Sequence, residues 1–133
     1  MRSKSSAGNL IFKGINMSIW KTTSVADTPE IVLSQWRIVE VTSPYWDGAS
    51  RHFTGYNETE REGRASSEIK EFDPTTMCGV TNSGRTYKLI GPPGHNDDGE
   101  YVWSRWKAIN KVETETDVSD EIYTACLESQ ESK

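Results

Sequence analysis

Gly91-Pro92-Pro93-Gly94 divides the chain into two parts of different character. Two consecutive prolines lock φ and remove two backbone donors, so neither a ladder nor a helix passes through them. Ahead of this block the apolar residues come in short runs rich in β-branched and aromatic side chains. Behind it they recur at helical spacing. Strands first and helices last imply an α+β domain.

In the first part, residues 31–41 form the most apolar stretch, and their β-branched residues with Trp36 predict a strand. Residues 10–20 alternate loosely and are read as a further strand or arm. Ser43-Pro44 opens a turn-rich loop, and residues 51–57 return as a second strand. Residues 58–67 are charged and polar and read as an exposed loop. Residues 68–72 form a short strand closed by Asp73-Pro74. Residues 77–81 and 85–90 flank Asn82-Ser83-Gly84, the clearest hairpin signal in the chain.

In the second part, Asp97 and Glu100 stand at capping-box spacing. Val102, Trp106 and Ile109 then follow at i, i+4, i+7 with Trp103 beside them, predicting a helix over 101–110 that stops at Asn110. A shorter helix starts near Ser119, with Ile122, Cys126 and Leu127 on its inner side, and ends near Glu128. The expected architecture is a twisted antiparallel sheet of four to six strands, with closure into a barrel left open, followed by an amphipathic helix and a short C-terminal helix. The domain spans 10–128, between a flexible leader over 1–9 and a disordered tail over 129–133. Met17 is an alternative start.

Leu, Ile, Val and Phe make up about 18% of the 133 residues, below the roughly 20% at which disorder becomes a concern. Five Trp and five Tyr compensate, since each large aromatic buries on the order of 150–250 Å². The expected core is Trp36, Ile38, Phe53, Ile69, Phe72, Val80, Leu89, Val102, Trp106 and Ile109.

No apolar run reaches the roughly 20 residues of a membrane helix, and no signal-peptide pattern follows Arg2 and Lys4. The expectation is a cytoplasmic protein without membrane contact, in which Cys78 and Cys126 stay reduced. The formal net charge of -5 is uneven, running from +4 over residues 1–26 to -6 over residues 112–133. Such acidity disfavours general nucleic-acid binding without excluding a local basic face.

His52, His95, Cys78 and Cys126 have no metal-site spacing, and the acids around Asp97 are explained by a helix start, so no metal or cofactor is expected. Glycine-rich phosphate loops and a GxSxG elbow are both absent. That makes an enzyme, such as a small hydrolase, the weaker reading.

Arg51, His52, Tyr56, Arg85, Tyr87 and Lys88 would suit a sheet that stacks single-stranded nucleic acid, if they share one face. Tyr45 and Trp46 instead sit in a loop where a core role is hard to arrange, and Trp, Tyr and Arg are the types enriched at interface hot spots. The preferred reading is a small non-catalytic interaction protein (adaptor, regulator or inhibitor) that contacts another protein. Tyr45, Trp46, Arg51, Arg85, Arg105 and Lys107 are its candidate contact residues, and nucleic-acid binding is the alternative.

Overall fold

A single strand with a break in its alternation organises the protein. The structure, a computed structural model, describes residues 30–131, and the expectations for the leader and for residues 10–20 lie outside the described residues. The first strand, β1 (Ile31–Thr42), buries Ile31 and Leu33 on one face. Gln35 then adopts a left-handed φ of 47°, and the pairing register slips by one residue between Ser34 and Arg37. This bulge re-phases the strand. Trp36 and Ile38 continue the first apolar cluster, while Val39 and Val41 enter a second one.

β2 (Ser50–Asn57), β3 (Glu62–Asp73), β4 (Cys78–Thr81) and β5 (Thr86–Leu89) follow as an antiparallel meander. β1 pairs with both ends of it, antiparallel to β2 and parallel to β5, so five strands close into a ring. An odd number of strands in a closed meander requires one parallel pair, and the expected wholly antiparallel sheet is therefore mixed. β6 (Thr114–Asp117) adds to the outer edge of β1. The hairpin at Asn82-Ser83-Gly84 forms as expected, with Gly84 at φ 86°.

The first cluster joins Ile31, Leu33, Trp36, Ile38, Phe53, Tyr87 and Leu89 across the ring, with Ile69 and Phe72 partly buried against it. α2 (Ser119–Glu131) packs onto it through Ile122 and Tyr123, and the Tyr123 ring meets Trp36 edge-on at 6.1 Å. The second cluster lies between β1 and α1 (Asp97–Ile109) and holds Val39, Val41 and Trp103, flanked by Trp46 and Trp106. α1 reaches the backbone of β2 and β3 at glycines. A Cβ on Gly99 would lie 2.8 Å from the Gly55 carbonyl oxygen, and one on Gly63 would overlap the Asp98 carbonyl.

Several local expectations are corrected. Glu62 to Ser67 belong to β3, because this half of the strand pairs with β2 while staying partly exposed, which explains its polar sequence. The α1 cap is Asn96, whose side chain accepts from Gly99 N, and Glu100 sends its carboxylate to Arg37 instead of back to the cap. Trp103 is the buried centre of the helix. Ile109 is 68% exposed and Val102 and Val80 are half-buried. α2 runs on to Glu131, through residues assigned to a tail, and turns Tyr123 inward while Leu127 is exposed.

Candidate functional site

The β1–β2 loop is anchored to the end of α1. Ser43 Oγ donates to the Asn110 carbonyl at 2.7 Å and accepts from Tyr45 N at 3.1 Å. This holds Trp46 against Trp106, with ring centroids 6.3 Å apart and planes tilted 50°. Trp106 in turn stacks on Trp103 at 5.0 Å. Trp46 and Trp106 wall an open cleft of about 380 Å³.

β2 supplies the deeper lining. Ser50 and His52 are two apart, so both project from one face of the strand. The His52 ring lies 4.5 Å from Trp106, and both it and Ser50 are buried. His52 Nδ1 lies 3.0 Å from the Ser66 carbonyl oxygen, which can only accept, so Nδ1 carries the proton. Nε2 is then the acceptor for the Ser50 hydroxyl at 2.7 Å. Burial pushes the His52 pKa below its usual 6.5, against the opposing pull of the Ser66 carbonyl and Glu68.

Acidic and amide groups complete the rim: Asp47 from the loop, Glu68 from β3, Asn82 from the β4–β5 turn and Asn110 after α1. Asn82 Nδ2 donates to Glu68 at 3.4 Å, and Asn110 Nδ2 to the Trp106 carbonyl at 3.0 Å. Trp46 Nε1 is buried without a hydrogen-bond partner. Chemically, the cleft offers two indole walls, a hydroxyl oriented toward an unprotonated imidazole nitrogen, and two carboxylates. Among the described residues no three His, Cys, Asp or Glu converge as a metal-binding group.

No family model matches the chain, and neither does any curated protein or solved structure.

Of the sequence-derived contact residues, Trp46 lines this cleft and Tyr45 precedes it in the loop. Tyr45 is 58% exposed, whereas Trp46 is half-buried against the second core cluster and is not a free loop side chain. Arg105 is exposed on α1. Arg51 pairs with Glu40 at 2.9 Å and reaches Glu121 of α2 at 3.7 Å. Lys107 pairs with Glu115 of β6, and Arg85 is half-buried beside the β4–β5 turn. The residues considered for nucleic-acid stacking do not share a face. Tyr87 is 1% exposed in the ring interior, His52 meets α1, and Arg51 turns to α2.

The sequence reading did not single out Ser50, Asp47 or Glu68, and it placed Trp106 in the core. The Ser50-x-His52 spacing was a visible signal. Its meaning depended on Ser66, fourteen residues from His52, to fix the tautomer.

Proposed function

We propose that this protein is a small interaction module, acting without catalysis in the cytoplasm as an adaptor, regulator or inhibitor. Its partner protein docks on the face made by the β1–β2 loop and the end of α1. The supporting observation is the exposure of two large apolar side chains, Tyr45 at 58% and Ile109 at 68%, each a chain neighbour of a residue lining the cleft. Exposed aromatics around a desolvatable pocket are the usual anchors of such interfaces.

Trp46 is a poor probe, because its removal would also open the second core cluster. Ile109 and Tyr45 are better. Immobilised protein is incubated with lysate of its host, with and without nuclease, beside the Ile109→Asp and Tyr45→Ala variants. The expected result is a stoichiometric protein that survives nuclease and is lost with Ile109→Asp, with Tyr45→Ala costing about 2 kcal/mol of binding. A captured protein indifferent to both variants, or one released by nuclease, overturns the reading.

One observation favours a second reading. The Ser50 hydroxyl already donates to His52 Nε2 at 2.7 Å, the arrangement of a serine nucleophile and its base in acyl transfer. Fluorophosphonate labelling that disappears in Ser50→Ala would support a small hydrolase, and absence of labelling in the folded protein would eliminate it.

A further inference from the structure

We propose that the cleft between Trp46 and Trp106 receives an arginine side chain of the partner protein; this rests on the docking reading above. Ser50 commits its hydrogen to His52, and both imidazole nitrogens are engaged, so Ser50 Oγ faces an incoming group as an acceptor. Asn82 and Asn110 each use one Nδ2 hydrogen within the protein, and their Oδ1 atoms remain to accept. Asp47 and Glu68 add two carboxylates, and the lining contains no lysine or arginine.

Two cations that flank lining residues in the chain are paired elsewhere, Arg51 with Glu40 and Lys107 with Glu115. Besides the Ser67 hydroxyl, the buried Trp46 Nε1 and the second amide hydrogens of Asn82 and Asn110, the polar side chains of the lining offer acceptors, and the charged ones are both anionic. A complementary ligand is therefore rich in donors, cationic and flat enough to lie on an indole. A guanidinium has five N–H donors and no acceptor, and it stacks on aromatic faces. The methylene stem of arginine suits the tryptophan walls. At about 380 Å³ the cleft lies near the small end of ligand sites, a size suited to one side chain.

The test titrates the full chain with Nα-acetyl-arginine methylamide, following tryptophan fluorescence and the indole N–H resonances. The citrulline, lysine, norleucine and glutamate counterparts serve as comparisons. The expected result is saturable binding of the arginine compound with shifts at Trp46 and Trp106. Citrulline, its neutral near-isostere, should bind at least about tenfold more weakly, as should arginine to the Asp47→Asn/Glu68→Gln variant. Equal binding of citrulline or norleucine, or tighter binding of lysine or glutamate, overturns the arginine assignment.

If none of the compounds binds while Ile109→Asp still abolishes partner capture, the assignment fails and the docking reading stands. If capture is also indifferent to Ile109→Asp, both fail.

Discussion

His52 is the residue at which the chemistry of the cleft and the stability of the fold meet. Its ring is buried among tryptophans and both nitrogens are engaged, so protonation in place would add a desolvated charge and remove the acceptor that Ser50 needs. The folded pKa lies below the usual 6.5 because of that burial. The unfolded chain therefore binds the proton more readily. Stability from this group is complete above the unfolded value, declines as pH falls through about 6.5, and levels off below the folded value. Glu115 and Asp117 are also shifted downward. In each case burial is outweighed, by hydrogen bonds from Lys107 and Trp103 at Glu115 and from Ser119 and Arg37 at Asp117. Their stabilisation is lost only in the more acidic carboxylate range. Urea unfolding at about pH 7 and about pH 5 should show a falling midpoint in the natural protein and a flatter response in His52→Gln. An unchanged slope in the variant would assign the pH dependence elsewhere.

Among the elements, α1 is the one whose placement decides whether the cleft exists, and that placement depends on a glycine contact. Gly63 allows the Asp98 carbonyl to lie directly on β3. A methyl there would meet backbone, which cannot rotate away. Gly63→Ala should therefore lower stability by about 1–3 kcal/mol and weaken the near-ultraviolet circular dichroism of the Trp46–Trp103–Trp106 group. A variant as stable as the natural protein would mean that α1 sits further from the sheet. Contacts of this kind are not visible in the sequence, and they separate what was legible from what was not. The strand at 31–41, the Asn82-Ser83-Gly84 hairpin and the helix stop at Asn110 were legible, because β-branched runs, turn residues and caps act locally. β6 was not, since Thr-Glu-Thr-Asp has no apolar residue and is a strand only because β1 offers it an edge. The Gln35 bulge was hidden as well, although it decides that Val39 and Val41 face α1. The stripe of α1 was centred on Trp106 and Ile109, when the surface it meets buries Trp103. For the cleft, the pair Tyr45–Trp46 was legible as unusual loop aromatics, but Glu68, at the start of an expected short strand, was not linked to His52, because the half of β3 that carries most of the pairing with β2 read as a loop.

At the scale of the whole molecule, the ring and both helical units are joined at Arg37. The bulge turns Arg37 to the side of β1 that Val39 presents to α1, where the Arg37 side chain is 17% exposed. Its Nε and Nη2 donate to the two oxygens of Glu100 at 2.7 and 2.8 Å, and its Nη1 donates to Asp117 at 3.2 Å. Asp117 also accepts from Ser119 N at 2.8 Å, and Ser119 Oγ accepts from Ile38 N at 2.9 Å, so the same node sets the start of α2 on β1. Burial alone would lower the Arg37 pKa, but the hydrogen bonds and charges of the two carboxylates raise it. Removing the guanidinium leaves Glu100 partly buried without its counter-charge and places it near a second carboxylate. Arg37→Ala should cost about 2–4 kcal/mol, below the full penalty of a buried pair because Asp117 is 47% exposed and partly screened. Arg37→Lys should restore only part of this, since an ammonium cannot reproduce the planar two-bond fork to Glu100. Replacing the bidentate pair, as in Arg37→Met with Glu100→Leu, should recover most of the loss, because the one carboxylate then left without its counter-charge, Asp117, is 47% exposed and still accepts from Ser119 N. Denaturant unfolding of the three variants measures this directly. If Arg37→Ala costs less than about 0.5 kcal/mol, the size of an ordinary surface pair, Arg37 does not couple the helices to the ring, and apolar contacts alone hold α1 and α2 in place.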